Sequence, residues 1–151
     1  VQIDTVTGEH KIRRVDILHD CGRSLNPAID RGQVEGGFLQ GVGWLTCEEL
    51  VFDVEGQLRT HAPSTYKIPA CSDWPEEFHV RLLDGVANNE DTVFSSKAVG
   101  EPPLMLAIST FMAIKDAVAS VADYKAQPPL NAPATPEAVL HALTCMGRIS
   151  T

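Results

Sequence analysis

No Cys-x-x-Cys pair occurs in this sequence, and its four cysteines, Cys21, Cys47, Cys71 and Cys145, lie far apart. That excludes a zinc ribbon and a thioredoxin-type redox motif and leaves reduced, structural thiols. The five histidines, His10, His19, His61, His79 and His141, are equally dispersed. None is four residues from another histidine or three from a cysteine, so a metal held by protein ligands has no support. Basic charge is scarce: 12 Lys+Arg stand against 20 Asp+Glu, a formal charge of -8. A field of that sign repels phosphate backbones and anionic lipid, which excludes nucleic acid and membrane surfaces as partners. Long apolar runs are missing too. The longest uncharged stretch, 102–114, is too short to cross a bilayer, and no basic-plus-apolar leader opens the chain. The expectation is a soluble, cytoplasmic chain with no visible address.

What is there is an ordinary globular composition, 151 residues of which 44% are hydrophobic and 21% charged, enough for one real core. Val1-Gln2-Ile3-Asp4 alternates like a strand already in progress, so the chain reads as one piece of a larger one. Residues 1–20 predict a hairpin around Thr7-Gly8-Glu9, with Ile12, Val15, Ile17 and Leu18 on its second run. Asn26 followed by Pro27 predicts a helix to about Glu49, with Ile29, Val34, Phe38, Val42 and Leu45 as its buried stripe.

Five glycines, at 32, 36, 37, 41 and 43, interrupt that helix at up to ~1 kcal/mol each, which calls for a close approach of another backbone or a ligand. Tight packing through Gly32-x-x-x-Gly36 and Gly37-x-x-x-Gly41 accounts for most of them, with the start of the helix left to a ligand. A second hairpin is predicted over 50–60 with its turn at Glu55-Gly56, strands over 78–83 and 92–94, and an exposed polar turn over 84–91. The clearest helix runs 102–121, its first half wholly interior. A linker over 127–133 precedes a last short helix through Leu143. The fold class expected is α+β: hairpins and further strands in a mixed or antiparallel sheet packed against two main helices.

The most informative stretch is Ser95-Ser96-Lys97-Ala98-Val99-Gly100-Glu101-Pro102-Pro103. Two prolines fix the backbone and aim Glu101, so a carboxylate is held by a rigid turn over an apolar interior, as a general base requires. The plainer reading makes Glu101 an N-terminal helix acid. Gln33 sits among glycines near a helix start, where an amide can donate and accept at once and suit a heterocyclic cofactor; it reads equally as an exposed helix position. Lys97 is either a solvated loop lysine or a donor to an anionic group. Tyr66-Lys67-Ile68-Pro69 reads as a packed corner.

Taken together, five blocks in order give the chain a family likeness: Ser24-Leu25-Asn26-Pro27-Ala28-Ile29-Asp30, Gly32-Gln33-Val34-Glu35-Gly36, Pro63-Ser64-Thr65-Tyr66-Lys67-Ile68-Pro69, 96–104 and Pro133-Ala134-Thr135-Pro136-Glu137. The chain resembles the C-terminal part of the molybdenum-cofactor domain of the xanthine dehydrogenases and oxidases, within the molybdenum hydroxylases.

The resemblance implies that Glu101 is the catalytic base, taking the proton from a water-derived oxygen that adds to an electron-poor purine or aldehyde carbon. It implies that Gln33 contacts the molybdopterin and that Lys97, Val99 and Gly100 line the same pocket, the pterin rather than the protein holding the metal. Residues 1–151 are then a C-terminal fragment, with a core of about 1–125 and a linker and terminal helix over 126–151. The 2Fe-2S and FAD groups belong to other domains or subunits, which are the expected partners beside a purine substrate. The fragment alone is expected to be inactive, cofactor-free and, through apolar surface left bare, an oligomer. An aldehyde oxidase-type hydroxylase, a non-catalytic scaffold or interaction module, and a pterin-independent binding domain are the competing readings.

Overall fold

The computed structural model describes residues 1–85 and 88–147. The chain opens on a hairpin of two very short strands, β1 (Gln2–Ile3) and β2 (His10–Lys11), paired antiparallel. Asp4 builds its turn: the carboxylate accepts the Val6 N–H at 2.7 Å, and its carbonyl accepts the Gly8 N–H at 2.8 Å. The predicted hairpin ends there. Strand β3 (Arg14–His19) leaves it and pairs in parallel with β4 (Glu77–Leu82), Ile17 opposite Val80. Ile17 is buried and Val15 half-buried, while Leu18 on the same run is 62% exposed; the pattern carries no information about which strand is the neighbour.

Helix α1 (Pro27–Thr46) lies between β3 and β4, so a helical crossover joins the parallel pair within an α+β fold. Its start follows the predicted chemistry, with Pro27 in the first turn and the Asn26 side chain accepting the Ile29 N–H at 3.3 Å. Val34, Phe38, Val42 and Leu45 are buried with Ile12, Ile17 and Val80 in one core cluster. Ile29 is not in the stripe: it is 58% exposed.

The glycines divide. A Cβ on Gly41 would stand 2.3 Å from the Leu104 carbonyl oxygen and one on Gly37 2.9 Å from the Pro103 side chain, so these two admit another backbone. Gly32 and Gly36 have nothing within 4 Å, which corrects the expectation that both spaced pairs are packing contacts. Gly43 meets Pro69 of the corner over 66–69.

The segment pressed on α1 is not α-helical at its start. Pro102–Ala107 is a 3₁₀ helix, α2 (Ile108–Ala119) continues it, and a further 3₁₀ turn, Ser120–Ala122, ends it. The tighter winding accompanies its close contact with α1, where Leu104 and Pro103 lie against Gly41 and Gly37. The first half is not wholly interior: Pro103 and Ala107 are buried, while Met105, Ile108 and Met112 are each about half exposed. The whole run, 21 residues, is long and apolar enough to cross a membrane by length and composition. Burial nevertheless recurs along it at Ala107, Thr110, Ile114, Val118 and Ala122, one side only, as in a core helix.

The second predicted hairpin reduces to a single antiparallel bridge, Phe52 with Leu58, closed at Gly56 with φ 79°. The predicted strand over 92–94 is instead a 3₁₀ turn, Val93–Ser95, in which Phe94 has φ 55° and Ser95 φ 58°. Positive φ at two consecutive residues cannot continue a strand. The predicted polar turn over 84–91 includes residues 86 and 87, which lie outside the described residues. The predicted linker is packed: Pro128, Leu130 and Ala134 are buried, and the Ala134 N–H donates to the Leu45 carbonyl at 2.7 Å. It carries the chain to α3 (Pro136–Gly147), which shares a second core cluster with α2 through Ile114, Val118, Val139 and Met146.

Gly41→Ala is expected to lower unfolding stability by about 1–3 kcal/mol, the cost of forcing backbone apart in a packed contact. Gly36→Ala, on the open side of the same helix, is expected to raise it by about 0.4–1 kcal/mol. Urea midpoints of the two variants check the contrast.

Candidate functional site

Because β3 and β4 are parallel, the loops that follow them leave the same end of the pair. The first carries Asp20, Cys21, Gly22 and Arg23; the second returns through Val93–Ser95 to the segment 96–101. The two are stitched together. Gly22 bridges Ser96, the Arg23 N–H donates to the Ser95 carbonyl at 2.9 Å, and the Lys97 N–H donates to the Cys21 carbonyl at 2.8 Å. Gly22 has φ 62° and a Cβ there would stand 2.5 Å from the Ser95 oxygen, so only glycine fits. The Lys97 ammonium donates to Asp20 Oδ2 at 2.6 Å, and Asp20 Oδ1 accepts the Gly22 N–H at 2.8 Å.

Past Lys97 the segment reaches α1. Gln33 Oε1 lies 4.0 Å from where a Gly100 Cβ would be, which brings two of the predicted site residues side by side. Glu101 precedes the 3₁₀ helix with φ -97° and ψ -41°, exposed, and its side chain makes no capping hydrogen bond. Its main chain is fixed all the same, since its carbonyl accepts the Leu104 N–H at 3.1 Å and the next turn is seated on Gly37. Val99 is half-buried between Lys97 and Gly100.

Gln33, Lys97, Gly100 and Glu101 thus occupy one exposed margin formed by the start of α1 and the segment 97–101. The sequence reading missed Asp20 and Gly22; Ser95 and Ser96 stood in the stretch it singled out, but with no partner named for them. An Asp-x-Gly turn directly after a strand was a faint signal for the first two, but nothing local points to a partner near residue 97.

Gln33 offers one acceptor and two donors, and Gly36, one turn along the same face, leaves the helix backbone bare. An amide beside uncovered glycine backbone at Gly36 and Gly100 is the donor set and the space that a flat, hydrogen-bonding heterocycle needs. Among the described residues no cluster of three His, Cys, Asp or Glu is placed to hold a metal ion. Away from this margin, Tyr66 donates to Glu48 and Pro69 abuts Gly43, which makes the corner over 66–69 a packing element.

Residues 1–75 match the family described as "Molybdopterin cofactor-binding domain". Among the solved structures that share the fold are two enzymes. Quinoline 2-oxidoreductase from Pseudomonas putida 86 is 27% identical with a TM-score of 0.79, over 94% of this chain and 17% of that one. A Cu,Mo-CO dehydrogenase is 25% identical with a TM-score of 0.81, over 99% of this chain and 18% of that one. The chain belongs to the molybdenum hydroxylases, as a stretch of their molybdopterin-binding part. Curated relatives include xanthine dehydrogenases. Xanthine dehydrogenase/oxidase of Felis catus is 53% identical over 148 residues, and xanthine dehydrogenase of Dictyostelium discoideum 54% over 118. The first alignment covers 94% of this chain and 11% of the relative, the second 78% and 9%, so the chain spans about a tenth of their length.

Charge sets how this chain responds to acid. The Lys97 ammonium, and then the Gly22 N–H, hold the Asp20 carboxyl below its ordinary value; Arg14 does the same for Asp16, and Lys11 for Glu76. His10 is also held low, by burial opposed by Asp73. A group whose folded pKa is depressed stabilises the fold above its unfolded value and loses that contribution as pH falls through the folded one. Stability is expected to be level above the histidine value of 6.5, to begin falling below it, and to fall further below the carboxylate values of 3.8 to 4.5. Urea midpoints measured from pH 8 to 3 test the two-stage loss.

Proposed function

We propose that this chain is the C-terminal portion of the molybdopterin-binding part of a xanthine dehydrogenase-like enzyme that hydroxylates a purine carbon with an oxygen drawn from water. The observation that carries the reading is Glu101: an exposed carboxylate with no capping bond, on a backbone locked against α1, next to the Gly100 and Gln33 pair. A purine is favoured because the curated relatives at 49 to 54% identity are named xanthine dehydrogenases, whereas the quinoline and carbon monoxide enzymes stand at 27% and 25%.

Gln33 would bind the pterin by its amide, with Lys97, Val99 and Gly100 lining the same side of the pocket. When bound, the cofactor supplies a molybdenum centre able to take up the electron pair lost by the substrate carbon. Glu101 takes the proton from the attacking oxygen at its carboxylate, and the 3₁₀ helix behind it fixes the main chain from which that carboxylate projects.

All of these residues except Val99 are exposed, whereas a bound cofactor is largely enclosed; the opposite wall therefore comes from elsewhere in the parent protein. The fragment alone is accordingly inactive and cofactor-free. In the parent, 2Fe-2S and FAD groups on other domains or subunits carry the electrons onward. The free thiols favour a reducing, cytoplasmic setting, and exposed Leu25, Ile29, Phe94 and Met112 favour an assembled oligomer.

In the full-length protein, Glu101→Gln keeps shape and hydrogen bonding but removes the proton acceptor. Hypoxanthine turnover is expected to fall by at least ~10²-fold while molybdenum content and melting temperature stay near wild type. Normal turnover per folded molecule with a lowered melting temperature would reduce Glu101 to a helix acid. Turnover of aldehydes but not purines by the wild type would move the protein to the aldehyde oxidase-type reading.

A further inference from the structure

We propose that Lys97 serves the site as a positioning residue acting through Asp20, rather than as a donor to the cofactor; the proposal rests on the function assigned to the Glu101 margin above. The ammonium of Lys97 is already engaged, 2.6 Å from Asp20 Oδ2, and Asp20 is itself aimed by its other oxygen, which accepts the Gly22 N–H at 2.8 Å. Main-chain bonds from Arg23 to Ser95 and from Lys97 to Cys21 flank this pair, so it closes a clamp between the loop after β3 and the segment that ends at Glu101.

The segment needs such a clamp. Phe94 and Ser95 both sit at positive φ, a conformation that non-glycine residues hold only when their surroundings impose it. Three residues past Lys97 comes Gly100, against Gln33, and then Glu101. The ion pair is about two-fifths exposed on each side, and pairs of that exposure add little to global stability. Its effect is therefore on where the segment lies, which is what the reaction would sense.

The test uses the full-length, cofactor-loaded protein with Asp20→Asn, Lys97→Met and the double variant. Asp20→Asn keeps an acceptor for the Gly22 N–H and removes only the charge that faces Lys97. Each single change is expected to lower kcat by about tenfold with KM and molybdenum content near wild type, and to speed hydrogen exchange of the amides over 95–101. The double variant is expected to be no worse than either single one, because both remove the same contact.

Loss of molybdenum in Lys97→Met but not in Asp20→Asn would overturn the proposal and make Lys97 a direct donor. Effects that multiply in the double variant, or unchanged exchange over 95–101, would overturn it as well. Glu101→Gln, measured alongside, separates the two ideas: normal turnover there sinks the catalytic reading, while the exchange data still decide the clamp.

Discussion

Helix α1 and the 3₁₀ segment Pro102–Ala107 meet with no side chain of α1 between them at Gly37 and Gly41. Everything at the site depends on that approach. It brings the turn that bears Glu101 close to the helix that bears Gln33, and it fixes the height of the 3₁₀ segment above the β3–β4 pair. A methyl group at either glycine would lift one element off the other and move the carboxylate with it. The hydrophobic side chains around the contact, Phe38, Val42 and Ala107, supply the burial. The glycines supply the distance.

The resulting margin combines a rigid floor with an open face. The backbone at Glu101 is held by its bond to Leu104 and by the seat of Pro103 on Gly37, yet the side chain is free. That division suits a proton acceptor, whose carbon frame must stay in place while its oxygens remain available. Gln33 and Gly36, on the same helix face, leave a polar and a bare position for a ligand to use. The likeness to quinoline and carbon monoxide enzymes shows that this framework tolerates a change of three residues in four while keeping a TM-score near 0.8.

Much of the fold was legible because local chemistry wrote it. Asn26 and Pro27 start α1, alternation predicts a strand over 78–83 where β4 runs Glu77–Leu82, and paired prolines mark the segment at 102. What was illegible shares a cause. The glycine pairs 32/36 and 37/41 have the same spacing, but Gly36 and Gly37 point about 100° apart on a helix, so one pair meets solvent and the other backbone. The parallel partnership of β3 and β4, and of Asp20 with Lys97, is set by tertiary pairing across many residues, and a one-dimensional pattern does not record it. For the site, residue types were readable at Gln33, Gly100 and Glu101, whereas the contact that steadies them was not.

The parallel strand pair also changes the arithmetic of loop closure. Asp20 and Lys97 are 77 residues apart in sequence, but the Leu83 N–H already donates to the His19 carbonyl at the end of the sheet. Once β3 and β4 have paired, the loop still to be closed is about fourteen residues long. By the logarithmic dependence of closure entropy on length, that shortening saves about 1.5 kcal/mol. The contact is cheap to form only once the sheet exists.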